Sequence, residues 1–160
     1  MGELFDKLAN YGNSGIYPFH MPGHKRQKTV DFNPYKIDIT EIEGFDNLHH
    51  AEGVLLEAQK KAEKLYGSEE SHFLINGSTA GILSAVSACA KKTVLIARNC
   101  HKAVYHAALI RNLDVYYVYP EIQEEFMLNG GINPADVERS LEEHPEIEAV
   151  VITSPTYDGI

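Results

Sequence analysis

Cysteine is scarce in this sequence: Cys89 and Cys100 are the two thiols among 160 residues. Two cysteines cannot build the dense disulfide framework of a small secreted domain. Basic residues are also few. Lys+Arg number 14 against 23 Asp+Glu, for a formal net charge of −9. That balance argues against a nucleic-acid binder, which needs a net basic face to displace counterions. Long apolar runs are missing as well. The longest small-apolar stretch, Gly81 to Ala90, is far too short to span a bilayer. No N-terminal stretch has the charged-then-apolar pattern of a signal peptide. There is no internal repeat, low-complexity tract or long linker. What is present is an ordinary globular composition, 44% apolar and 23% charged, which argues against disorder. The expectation is a soluble, acidic, cytoplasmic protein with reduced thiols, engaging neither nucleic acid nor membrane.

Residues 1–50 differ from the rest. Glu3 to Tyr11 reads as a short helix with Leu4, Phe5 and Leu8 on one face, broken at Asn13-Ser14-Gly15. Pro18, Pro22-Gly23 and Asn33-Pro34 then punctuate an extended arm. Its aromatics (Tyr17, Phe19, Phe32, Tyr35, Phe45) need a surface to cover them, from this chain or from a second subunit. From about residue 51 the pattern becomes regular. Ala51, Val54, Leu55, Ala58, Ala62, Leu65 and Tyr66 follow helical spacing, with Gly67 as the stop. The spacing then predicts a strand over 71–76, a helix over 78–90, a strand over 93–97 and a helix over 102–111. A strand over 114–119 follows, then a helix opened by Asn133-Pro134 and ending before His144-Pro145, and a strand over 148–153.

This alternation predicts βαβ units, an α/β class and a parallel sheet. The runs 94–97 and 149–152 are continuously apolar, as in strands covered on both faces. The small-residue helix from Ser78 is expected to be largely buried. Four strands with an open apolar edge suggest the front part of a larger, truncated fold rather than a finished domain.

Three segments are expected at the carboxyl ends of strands, where open α/β sheets bind ligands. Asn76-Gly77-Ser78-Thr79-Ala80-Gly81 opens a helix. It reads either as a phosphate site or as an ordinary serine N-cap after a glycine turn. It is neither the three-glycine dinucleotide fingerprint nor a Walker loop. Arg98-Asn99-Cys100-His101-Lys102 offers a histidine to stack on a flat ligand or to cap a helix, and Cys100 favours a packing role over nucleophilic chemistry. Thr153-Ser154-Pro155-Thr156-Tyr157-Asp158-Gly159 adds hydroxyls to the same rim or is a plain turn. No histidine spacing is ligand-like, so no metal site is expected: Pro22-Gly23 separate His20 from His24, His49-His50 are adjacent, and His101 and His106 are five apart. The segment His20 to Arg26 lines a site for an anion or is a solvated loop.

Five stretches in register carry a resemblance across nearly the whole chain. They are Tyr17-Pro-Phe-His-Met-Pro-Gly-His-Lys-Arg26, residues 38–48 (Asp-Ile-Thr-Glu-Ile-Glu-Gly-Phe-Asp-Asn-Leu), Phe73-Leu-Ile-Asn-Gly-Ser-Thr-Ala-Gly81, Asn99-Cys-His-Lys102 and Ser154-Pro-Thr-Tyr-Asp-Gly159. Together they resemble the bacterial ornithine/lysine/arginine decarboxylases of the aspartate-aminotransferase-type fold. The resemblance implies the front part of a fold-type-I pyridoxal-phosphate large domain over residues 51–160, preceded by a dimer-contact arm over 1–50. It implies pyridoxal 5′-phosphate as cofactor, a basic amino acid as substrate, and a homodimer or higher homo-oligomer. Carried over by motif, Gly77, Ser78 and Thr79 match the phosphate cup and His101 the ring-stacking histidine. Ser154 and Thr156 match a strand end beside the cofactor. The family's ring-nitrogen aspartate and Schiff-base lysine follow the Pro-Thr-Tyr-Asp-Gly turn, so the 160 residues alone are expected to lack decarboxylase activity. An aminotransferase or aldolase of the same fold, or a non-catalytic degenerate fragment, are the alternatives. Asp38, Glu41, Glu43 and Asp46 are candidates to meet the substrate's distal cation or are solvated surface.

Overall fold

The structure, a computed structural model, describes residues 3–17, 19, 25, 31, 33–36 and 38–160. The expectations placed on Pro18, on His20 to His24, on Arg26, on Phe32 and on the Tyr35 side chain lie outside the described residues. The chain divides into two compact units, Met1–Leu56 and Glu57–Ile160.

In the first unit, α1 (Glu3–Gly12) forms where the amphipathic spacing places it. Its Leu4, Phe5 and Leu8 are exposed, as are Tyr17, Phe19 and Phe45 further along the arm. Single turns of 3₁₀-helix occur at Pro34–Lys36 and Leu48–His50, the second capped by the Asn47 side chain. The organising residue is Asp46, which takes a left-handed backbone conformation that Asp tolerates better than most residues (φ +64°). Its Oδ1 accepts the N–H groups of Asn47 (2.8 Å) and Glu52 (3.0 Å), and its Oδ2 those of Gly53 (2.8 Å) and Leu55 (3.0 Å). Three of these donors lie at the opening of α2 (Val54–Tyr66), where backbone N–H groups have no intrahelical acceptor. The Glu52 N–H, followed by those of Asn47, Gly53 and Leu55, holds the Asp46 carboxyl far below the ordinary aspartate value of 3.8. Asp46 is therefore a backbone-binding carboxylate, which corrects its reading as solvated surface. Helix α2 starts at Val54 rather than Ala51 because this cap fixes its first turn, and Gly67 ends it with φ +66°.

The second unit is built on β1 (Thr93–Ala97). It pairs in parallel with β2 (Asp114–Val118) on one edge and with β5 (Ala149–Val151) on the other. All five β1 residues are buried, and Val94, Leu95 and Ile96 have no exposed surface. Helix α3 (Gly77–Cys89) leads into β1, and α4 (Lys102–Arg111) returns from β1 to β2. These two helices pack on each other. Helix α5 (Pro134–Glu143) carries the chain from β2 back past β1 to β5. Consecutive strand residues point to opposite faces. Tyr117 stacks on Tyr105 of α4, while Tyr116 stacks on His144 just after α5, so α4 and the end of α5 lie on opposite faces of the sheet. Between β2 and α5 a short antiparallel hairpin, β3 (Ile122–Gln123) with β4 (Leu128–Asn129), forms where no strand pair is expected from the sequence. The Glu121 carbonyl accepts the Gly130 N–H and would lie 3.1 Å from a Cβ there, so a side chain at Gly130 crowds this closure.

Three expectations are corrected. Residues 71–76 do not form a strand: they pair with none of β1, β2 and β5, and Phe73, Leu74 and Ile75 are left exposed. The parallel sheet thus has three strands, not four. Helix α3 is not largely buried. Val86 is its one buried residue, and Ser84, Ala85 and Ala88 on one face are exposed. The run 149–152 is not doubly covered, since β5 is an edge strand with Val150 and Ile152 exposed.

The amino-terminal rim of the sheet is closed by a second carboxylate. Glu148 Oε2 accepts the N–H groups of Lys91 (2.7 Å), Lys92 (2.7 Å) and Thr93 (3.2 Å), tying the entry of β5 to the entry of β1. The Lys92 N–H, then those of Lys91 and Thr93, hold this carboxyl below its ordinary value of 4.5. Nearby, Glu146 accepts the Tyr116 hydroxyl at 2.7 Å.

A lowered folded-state pKa contributes stability above the unfolded value that is lost as pH falls through the folded value. Glu148→Gln is thus expected to lower the urea midpoint at neutral pH, with the deficit shrinking as wild type is acidified below 4.5. Urea titrations of both proteins across that range check it, and a deficit that does not depend on pH contradicts it. For Asp46, amide exchange at Gly53 and Leu55 is expected to be fastest in Asp46→Ala, intermediate in Asp46→Asn, which keeps one acceptor oxygen, and slowest in wild type. Equal exchange in all three contradicts the cap.

Candidate functional site

A crossover helix between parallel strands runs back along them, so the N-terminus of α4 lies at the carboxyl rim of the sheet. Helix α3 ends four residues before β1 begins. Its 13 residues rise about 20 Å, close to the roughly 17 Å of the five-residue strand. Its N-terminus therefore also comes to the carboxyl rim.

The α2, α4 and α5 openings are each satisfied by a side chain. Asp46 serves α2, His101 Nδ1 accepts the Ala103 N–H (3.2 Å) at α4, and Asn133 Oδ1 accepts the Ala135 N–H (3.0 Å) at α5. The α3 opening differs, because its N-cap residue Asn76 makes no side-chain capping bond. The N–H groups of Gly77, Ser78 and Thr79 have no intrahelical acceptor. No acidic residue stands in the first turn to neutralise the positive end of the helix. Gly77 takes φ +67°, which a Cβ-bearing residue rarely adopts, although a Cβ there would meet nothing within 4 Å. Its requirement is conformational. Ser78 is the second residue inside the helix, so the reading of Ser78 as an ordinary N-cap is corrected.

His101 is the N-cap of α4, so the capping half of its sequence reading is realised. Accepting the Ala103 N–H at Nδ1 fixes the tautomer: in the neutral ring Nε2 carries the proton. The loop before it is held from three sides. Arg98 N–H bonds Val118 O (2.9 Å), Cys100 N–H bonds Ala97 O (3.0 Å), and the Tyr105 hydroxyl donates to Arg98 O (2.9 Å). Cys100 is buried. Its thiol donates to Val151 O and accepts from the Thr153 hydroxyl, both at 3.5 Å, which is the packing role expected of it.

A cleft of about 510 Å³ lies between α3 and β5. Ile82, Ala85, Val86 and Cys89 wall one side and residues 149–152 the other, with Cys100, His101, Val104, Thr153 and Ser154 completing it. Of the residues carried over by motif, His101 and Ser154 line this cleft. Gly77, Ser78 and Thr79 lie one turn above Ile82 on the α3 wall. Thr156 does not line it. It is buried, and its hydroxyl accepts the Ile160 N–H (3.1 Å) within the turn that follows the cis Ser154–Pro155 bond.

Two groups at the rim carry features that the sequence did not disclose. Arg98 lies 5.3 Å from the ring centroids of both Tyr105 and Tyr117 and donates to the Tyr105 hydroxyl (2.9 Å). The Tyr105 hydroxyl raises its pKa further, so it is a fixed cation. Asn99 has both amide atoms buried, with no hydrogen-bond partner among the described residues. An arginine and an asparagine after a strand are too common to single out without the fold. Among the described residues, no helix is long and apolar enough to cross a membrane, and no three His, Cys, Asp or Glu residues gather as a metal would require.

The family model described as Orn/Lys/Arg decarboxylase, major domain, matches residues 3–160. A Bacillus subtilis (strain 168) protein described as uncharacterized, YaaO, is 37% identical over 166 residues, covering 98% of this chain and 34% of its own. The arginine decarboxylase of Bacillus cereus is 31% identical, covering 98% of this chain and 36% of its own. The chain thus spans about a third of the length of these relatives. The solved structure of the Escherichia coli constitutive lysine decarboxylase superposes with a TM-score of 0.67 at 25% identity, covering 99% of this chain and 26% of that one. The parallel sheet with helices on both faces, the five motifs and the match across residues 3–160 make this chain a member of the Orn/Lys/Arg decarboxylase family.

Proposed function

We propose that these residues form part of the pyridoxal 5′-phosphate site of an amino-acid decarboxylase acting on lysine, arginine or ornithine. One observation carries the reading. At the carboxyl rim, α3 opens with N–H groups that no side chain caps among the described residues, while His101 lines the neighbouring cleft with its Nδ1 bonded to the Ala103 N–H. The residues present fit the cofactor. A phosphate dianion matches the free donors and positive end of α3, and the Ser78 and Thr79 hydroxyls add donors to it. His101 offers a ring face to the pyridine, and its Ala103 bond prevents that face from turning away. Ser154 adds a hydroxyl on the far wall. The apolar walls from α3 and β5 exclude water from one side of the ligand, which strengthens each of these polar contacts.

When bound, the cofactor supplies the electron sink that accepts the pair left behind as the α-carboxylate departs as CO₂. The chain's own residues bind and orient the cofactor. They do not include the lysine that the family motif places after the Pro-Thr-Tyr-Asp-Gly turn. The 160 residues alone are therefore expected to bind pyridoxal phosphate without turning substrate over, and the dimer arm over 1–50 and assembly into homo-oligomers belong to the same reading.

His101→Ala is expected to weaken pyridoxal-phosphate binding by about two- to tenfold, the worth of one stacked ring contact, while His101→Phe keeps most of it. Absorbance titration of the cofactor into the purified protein measures both. Unchanged affinity in His101→Ala contradicts the ring-facing role. Failure of wild type to bind pyridoxal phosphate at all contradicts the site.

A further inference from the structure

Two glycines flank the α3 opening, and they serve different physical needs. Gly77 needs its positive φ and has open space where a Cβ would go. Gly81 is an ordinary helical residue by conformation, yet a Cβ there would sit 2.7 Å from Leu74 Cδ1, with Leu74 Cγ and Cδ2 at 3.8 Å. Carbon atoms in favourable contact lie about 3.5–4.0 Å apart. The missing side chain at position 81 is therefore a notch, and Leu74 fills it.

This contact matters because of what surrounds it. Residues 71–76 have no strand pairing, and the segment enters from the Glu63–Ser71 bond (3.3 Å) at its far end. Leu74 is three residues before Gly77. Its side chain in the Gly81 notch fixes the incoming backbone against the helix that it is about to start, and so sets the direction in which the turn at Asn76-Gly77 presents its N–H groups. We infer that Leu74 and Gly81 form a knob-and-notch lock that positions the phosphate-binding turn, acting through the backbone without touching the ligand. The inference rests on the phosphate reading of the α3 opening and deepens it.

The lock makes a prediction with an unusual sign. Alanine is a better helix former than glycine, so Gly81→Ala favours α3 itself. Leu74 Cδ1 is the end of a mobile side chain and can swing aside to admit the new methyl group. Helix content and melting temperature are thus expected to hold or rise, while the selectivity for a phosphate-bearing ligand falls. Leu74→Ala empties the notch from the other side and should have the same effect. Because the two variants remove one contact, their combination should cost no more than either alone. Leu74→Met refills the notch and should restore binding.

The experiment measures the affinity of the purified protein for pyridoxal 5′-phosphate and for pyridoxal, which lacks the phosphate, in wild type and these four variants. Circular dichroism and melting are recorded on the same samples. The lock predicts that wild type prefers the phosphorylated ligand. It predicts that Gly81→Ala, Leu74→Ala and the double variant each lose roughly three- to tenfold of that preference, the scale of coupling between touching residues, and that Leu74→Met keeps it. Retention of the full preference in Gly81→Ala and Leu74→Ala, or losses that multiply in the double variant, would overturn the lock and leave the phosphate reading standing. A wild type that binds both ligands equally would remove the phosphate reading itself, and the lock with it.

Discussion

Strand β1 sets the geometry of everything downstream of Leu56. Both of its edges are hydrogen-bonded, to β2 and to β5, and Val94, Leu95 and Ile96 are wholly enclosed between helices. Its register is set by ladder pairing on both edges, Thr93 to Ala97 against Asp114 to Val118 and Val94 to Ile96 against Ala149 to Val151. The direction of β1 then dictates where α3 and α4 begin, since both must run back along it. The cleft, the histidine cap and the uncapped helix start converge on the carboxyl rim for this one reason.

Backbone N–H groups at chain turns form a second theme. Asp46 gathers four of them and Glu148 three, each carboxylate held below its ordinary pKa by these donors. Elsewhere a histidine and an asparagine serve single donors at α4 and α5. Side chains thus cap the α2, α4 and α5 openings, while among the described residues none caps α3. A positive helix end without an internal acceptor, at the rim of an open sheet, is suited to an external anion. Within the second unit, the bound carboxylate of Glu148 lies at the opposite rim of the sheet. It supports the framework without competing for that anion.

Much of this was legible in the residues. Thr93 to Ala97 read as a buried strand because all five side chains suit an interior, and Lys102 to Arg111 read as a helix between it and the next strand. Asn133-Pro134 marked the start of α5 by cap chemistry alone. The motif at 76–81 pointed to the rim because its glycine, hydroxyls and helix start occur together. Other features depended on distant partners. Residues 71–76 have the composition of a strand, but a strand also needs a partner to pair with, and local composition carries no record of whether the fold brings one alongside. Asp46 looked like surface charge because its four donors become neighbours only when the loop over 46–55 closes. Burial of α3 was overestimated because small residues describe what a helix can pack against, not what is there. The Leu74–Gly81 contact was hidden for a similar reason, since a helical glycine does not reveal which side chain occupies its space.

The central claim is that the uncapped opening of α3 holds the phosphate of a pyridine-ring cofactor facing His101. The most direct measurement is a crystal structure of the protein grown with pyridoxal 5′-phosphate. The account predicts phosphate oxygens within hydrogen-bond distance of the Gly77, Ser78 and Thr79 N–H groups, with the ring packed against the His101 imidazole. A phosphate bound elsewhere, or a ring on the other side of β5 from His101, would contradict it.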